Sequence, residues 1–151
     1  MIGNDQGLFF CWGVKWGLAE KNYIEGSRKY GISIGHHDTD NIVRDNEIRS
    51  SGEVGILFRK ERTAAFQGNR NRIEKNQILG LARESGVGID VQGQTQAIAI
   101  LGNEIRETQA PSKRIGIRIG PDTDQITLTG NRIVGFAQEV VDLRTSARSA
   151  G

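Results

Sequence analysis

Aromatic, imidazole, carboxylate and cationic side chains come together in three short runs. Trp12, Lys15 and Trp16 form the first, and His36, His37, Asp38 and Asp40 the second. Arg59, Lys60, Glu61 and Arg62 form the third. A neutral imidazole, His36 or His37, is suited to abstracting a proton at about pH 7. A cation such as Arg59 or Lys60 can neutralise a carboxylate and make the C–H beside it easier to ionise. Trp12 and Trp16 offer flat apolar faces. A carboxylate pair such as Asp38 and Asp40 can hold Ca²⁺ or work as acid and base. Plainer readings compete. Residues 36–40 also read as a polar turn rich in Asx-type backbone bonds. Pro121-Asp122-Thr123-Asp124 repeats much of that pattern without histidine. The basic run reads equally as a solvated loop entrance. His37 and Asp40 have no evident third ligand, so no metal site is expected.

What positions these runs is a repeat. A glycine followed by an apolar residue recurs at Gly7, Gly31, Gly55, Gly88 and Gly116, and Asn-x-Ile recurs at Asn22, Asn46, Asn76, Asn103 and Asn131. Four of the five Gly-to-Asn spacings are 15 residues and the other is 21. The six-residue excess is placed at Thr63 to Gly68 as a protruding loop. After each glycine the residues alternate as in a half-buried strand. Leu8, Ile32, Ile56, Ile89 and Ile117 face inward, as do Phe10, Ile34, Phe58, Val91 and Ile119. Phe9, Ser33, Leu57, Asp90 and Arg118 face out. A second inward column is Ala19, Val43, Ile73, Ile100 and Leu128, and a third is Ile24, Ile48, Ile78, Ile105 and Ile133. Three apolar segments per repeat describe a three-sided coil, and about five such coils stack, because only neighbours can pair the backbone and bury the inward columns. Asn suits the ladder position because it tolerates left-handed backbone and carries both a donor and an acceptor. In this register Trp12, His36 and Lys60 share one position and should stack.

Composition narrows the classes. Twenty Lys+Arg against eighteen Asp+Glu, spread along 151 residues, make no demand for a nucleic-acid partner. Twenty glycines with two prolines suit tight turns rather than a disordered linker. The single Cys11 excludes an intrachain disulfide and reads as a small buried hydrophobe. No run is apolar enough for a membrane span. Met1 to Gln6 has neither the basic start nor the apolar core of a signal peptide, so secretion cannot be read from this chain. Val140 opens a sixth strand, with Val141 and Leu143 inward, and a polar tail follows over 144–151. Ile2 reads as the end of a preceding rung. The β-helix domain is thus 1–143, expected to be the C-terminal part of a longer β-helix and able to self-associate through its N-terminal rung.

These columns, with Gly-Ile-x-Ile opening a rung and Asn-x-Ile closing it, resemble the right-handed parallel β-helix repeat family of the pectin-lyase-like superfamily. The resemblance spans Gly7 to Leu143. It implies an all-β solenoid, a mostly extracellular or cell-surface setting, and a polysaccharide or oligosaccharide lying along a groove beside the first sheet. On a uronate chain it would give Lys60 or Arg59 the carboxylate, His36 or His37 the C5 proton, and Trp12 or Trp16 a pyranose face, with Lys15, Asp38 and Asp40 alongside. Two readings stay open: a segment of a carbohydrate-active enzyme of the lyase or epimerase kind, and a non-catalytic β-helix for carbohydrate binding or surface structure. A shared fold does not transfer a reaction.

Overall fold

The alternation after each glycine builds the first of three parallel sheets. In the computed structural model, which describes residues 1–109 and 113–145, this sheet has six strands. They are Gln6–Phe9, Tyr30–Ile34, Val54–Phe58, Val87–Val91, Ile115–Ile119 and Gln138–Asp142, each paired with the next. The second sheet stacks Leu18–Glu20, Ile42–Arg44, Arg72–Glu74, Gln96–Leu101 and Asp124–Thr129. The third stacks Tyr23–Glu25, Glu47–Ser51, Gln77–Leu81, Glu104–Arg106 and Arg132–Val134. The chain therefore winds through five full rungs and enters a sixth. No helix among the described residues is long and apolar enough to cross a membrane.

Like residues stack because parallel register is kept from rung to rung. Leu8 pairs with Ile32, Ile32 with Ile56, Ile56 with Ile89, and Ile89 with Ile117. The inward columns merge into one core. Leu8 and Ile133, in the end rungs, are only partly buried, and Leu128 is exposed. Glycine opens each rung because the next rung's backbone and the isoleucine column leave no room for a side chain there. A Cβ on Gly55 would lie 2.5 Å from the Gly88 carbonyl oxygen and 2.8 Å from Ile78 Cγ2.

The asparagine ladder runs through all five rungs. Oδ1 of Asn76 accepts from the backbone N–H of Asn46 at 3.1 Å and from its side-chain amide at 2.9 Å. That amide also reaches back to the Ala19 carbonyl at 2.9 Å. The same bonds link Asn76 to Asn103 and Asn103 to Asn131. Left-handed geometry falls one residue earlier than expected, on Lys21, Asp45, Lys75, Gly102 and Gly130. Those residues turn the corner, and this frees Asn to bond along the stack. A shorter ladder escaped sequence reading: Asn71 Oδ1 accepts from Asn41 N, and Asn41 Oδ1 from Gly17 N.

Three further expectations need correction. Ser33, Leu57 and Asp90 project from the outer face of the first sheet yet are buried. Leu57 joins Val54 and Val87 in a second apolar cluster, Arg59 covers Ser33, and Arg118 covers Asp90. The sixth strand is shifted by one residue: Val140 pairs with Ile117 and Asp142 with Ile119, so Val141 is not inward. Cys11 is half-buried rather than buried. The insertion at 63–68 carries an exposed 3₁₀ turn, Ala64–Phe66, anchored at its base by the buried Gln67 and Gly68. Of the polar tail, 146–151 lies outside the described residues, and Arg144 is tied to Asp142 by a bidentate pair. Ile2 does pair with the third sheet, at Glu25.

Candidate functional site

The turn that leaves the first sheet has an uncommon backbone in its first two rungs. Trp12 and Gly13 in rung one, and His36 and His37 in rung two, all have positive φ, at 69°, 81°, 50° and 62°. Asp38 N donates to the Gly35 carbonyl at 2.9 Å, which closes a tight turn around the two histidines. A non-glycine residue held in left-handed geometry costs about 1–3 kcal/mol and persists only where its surroundings enforce it. Asp38 does much of the enforcing. One of its carboxylate oxygens accepts from Gly13 N at 3.1 Å and Val14 N at 2.9 Å, and the other from Gly35 N at 3.1 Å. Its side chain is fully buried, and burial pushes the carboxyl above its ordinary value against the pull of those N–H groups and of Arg59. Asp38 is therefore a stitch between rungs, not a group that meets a ligand.

The strained turns carry their side chains outward into a cup. The Trp12 and His36 rings lie 4.9 Å apart, as the shared register requires. Phe66 comes from the insertion and stands edge-on to His36 at 6.3 Å, with its ring 4.2 Å from that of His37. Gln67 holds this insertion down. Its amide donates to the Glu61 and Thr63 carbonyls, and its oxygen accepts from Thr95 Oγ1. The Phe66 carbonyl in turn accepts from His37 N at 3.0 Å. Trp12, His36, Glu61, Arg62 and Phe66 line an open recess of about 410 Å³, within the size range of small-molecule sites.

Glu61 organises the chemistry of the cup. One of its oxygens accepts from the His36 backbone N–H at 3.1 Å, and the other lies 3.3 Å from His36 Nδ1. Arg59 Nε donates to Glu61 at 3.3 Å. Nδ1 is thus the ring nitrogen beside the carboxylate, which leaves Nε2 as the one available to a ligand. Sequence reading missed Glu61 as the partner because Lys60 stands one position earlier, at the column position of His36. The six-residue insertion alters the path after Phe58. Lys60 is exposed, with its Cα beside Gly93 of rung four, and does not line the cup. Phe66 was missed because an insertion has no repeat position. The one signal was a lone aromatic among small and polar residues.

The other expected residues disperse. Arg59 lies over the Phe9 ring at 4.5 Å and donates to Ser33 Oγ at 2.7 Å and the Phe10 carbonyl at 3.0 Å. Its guanidinium is thus occupied within the protein. Asp40 faces Arg70 in a bidentate pair at 2.8 and 3.0 Å. Those bonds hold its carboxyl below the ordinary range, and the charge of Lys15 acts in the same direction. Trp16, in left-handed geometry, stands outside the cup and is highly exposed. The Asp38 and Asp40 carboxylates have separate partners and do not form a cation site. No group of three or more His, Cys, Asp or Glu among the described residues is placed to hold a metal. A second recess of about 390 Å³ lies over Leu57 on the first sheet, but its Arg118 and Arg83 are paired with Asp90 and Glu53.

Comparison with known families agrees with the coil. The family described as "Right handed beta helix region" matches residues 6–149. Comparisons with curated proteins and with solved structures returned no match.

Proposed function

We propose, from the premise that the chain belongs to the right-handed β-helix family, that it is a carbohydrate-active segment that takes an acidic sugar into the cup of rungs one to three. The observation that carries this reading is an imidazole held by a carboxylate in an aromatic-walled recess. Trp12 and Phe66 supply the flat apolar surfaces that a pyranose face packs against. Arg62, the cation lining the cup, pairs with the uronate carboxylate and makes C5–H more acidic. His36 Nε2 takes the C5 proton as that bond breaks, while Glu61 stabilises the imidazolium. In a lyase the electron pair then forms the C4=C5 double bond as the C4–O bond to the next sugar breaks, and the departing oxygen takes a proton from the imidazolium or from water. In an epimerase a proton returns to C5 from the other face. An extracellular or cell-surface setting is part of this reading.

The second reading is non-catalytic carbohydrate binding, and one observation favours it. Arg59 is taken up by Ser33, Phe10 and Phe9, which leaves Arg62 as the cation lining the cup to meet the substrate carboxylate. Incubating the folded chain with uronate polymers and following both unsaturated chain ends and C5 inversion separates the two. Conversion by the wild type that His36→Gln abolishes, with binding retained, supports the enzyme. Binding without conversion, unchanged in His36→Gln, supports the binding module. Absence of both contradicts the carbohydrate reading.

A further inference from the structure

We infer that the cup receives the end of a sugar chain and not its interior, because the insertion of residues 63–68 stands across the path that an extended chain would follow. The inference rests on reading the cup as a carbohydrate site and concerns how that site selects its ligand. Successive rungs place equivalent loops side by side along the stack, so a polymer lying along this edge would cross rung after rung. Rung three interrupts that edge. Its 3₁₀ turn has a recess on each side: Phe66 walls the cup, while Ala64 borders a separate recess with Gln94, Gln96, Asp122 and Asp124. A ligand passing from one recess to the other would have to climb over the turn.

Two features make this turn a fixed wall. Gln67, almost wholly buried, ties it to its own rung through the Glu61 and Thr63 carbonyls and to rung four through Thr95. On the other side the Phe66 carbonyl accepts from His37 N of rung two. The insertion is thus bonded to the rung before it and the rung after it. The two recesses also differ in charge. The cup sets Arg62 beside Glu61 and His36, whereas the far recess is lined by Asp122 and Asp124 and, among the described residues, by no cation. A continuous polyanion that favoured the first would be repelled by the second, so charge and shape stop the chain at the same place. The sugar that fits is a terminal residue with its carboxylate toward Arg62.

Chain-length dependence tests this. Galacturonate and mannuronate oligomers of increasing length, and their parent polymers, are titrated into the full chain while tryptophan emission is followed. Affinity should level off at two or three residues. Shearing a polymer to one-tenth of its length should raise its apparent affinity per unit mass about tenfold, in proportion to the number of ends. Deleting residues 63–68, which gives rung three the 15-residue Gly-to-Asn spacing of the other rungs, removes the wall and should restore a steady gain of affinity with length. Wild-type affinity that climbs with every added residue, with sheared and intact polymer equal per unit mass, would overturn the inference and leave the carbohydrate reading standing. No response to any oligomer or polymer would overturn both.

Discussion

At the scale of single residues, the molecule separates turning from bonding. The residue before each ladder Asn takes the left-handed geometry, while Asn satisfies backbone groups in two rungs. Two predictions follow from this division. Asn103→Leu removes bonds to Ile73, Asn76 and Asn131, and each buried polar group left unpaired costs about 1–3 kcal/mol. Urea denaturation should show a loss of at least that size, against almost none for Asn4→Leu; equal effects would contradict the ladder. Lys75, exposed with φ of 51°, occupies a corner that glycine fills in rungs four and five. Thermal midpoints should therefore rank Lys75→Gly at or above wild type and Lys75→Ile clearly below it.

The ion pair of Asp40 adds a pH dependence with a definite sign. Arg70 holds the folded-state carboxyl below its ordinary 3.8, so the folded chain binds that proton less tightly than the unfolded chain. The stabilisation is complete above pH 3.8 and is lost as pH falls through the lowered value. Asp38 works in the opposite sense, since burial raises its carboxyl and its contribution fades as pH rises. Comparing wild type with Asp40→Asn cancels the Asp38 effect. Their thermal midpoints should differ above pH 3.8 and converge on acidification, and a constant gap would count against the pair.

At the scale of elements, close approach of neighbouring rungs sets the rules. A Cβ on Gly88 would sit 2.5 Å from the Gly116 carbonyl oxygen and 2.7 Å from Ile105 Cγ2. Overpacking of this kind costs about 1–3 kcal/mol. Gly88→Ala should lower the denaturation midpoint accordingly, and an unchanged midpoint would show that the strands can give. This regularity explains what the sequence revealed. Strand alternation, the isoleucine column and the Asn spacing all repeat, so each rung corroborates the others. The site was legible only in part. Trp12 and His36 were found together because both stand at the same distance from their glycines. Glu61, Phe66 and the burial of Asp38 depend on how one insertion and one turn pack against neighbouring rungs. No period encodes that. Arg59 looked available because its partners, Ser33 and the Phe10 carbonyl, lie 26 and 49 residues away in sequence.

At the scale of the whole molecule, the stack is a ruler along which turns are laid, and function depends on which turns differ from the rest. Rungs one to three differ most. They carry both tryptophans, both histidines and the insertion, whereas the outer groups of rungs four and five are largely engaged with one another, as Arg118 is with Asp90. The central claim is that carbohydrate enters the cup beside Trp12 and not the surface beside Trp16. The two indoles are exposed to nearly the same degree, 82% and 81%, so both are open to a ligand from solvent. Titrating uronate oligosaccharides into Trp16→Phe, which keeps Trp12, and into Trp12→Phe, which keeps Trp16, reads each position alone. A saturable change in the emission of Trp12 with none from Trp16 is the predicted result; a change from Trp16 alone, or silence from both in folded protein, would contradict it.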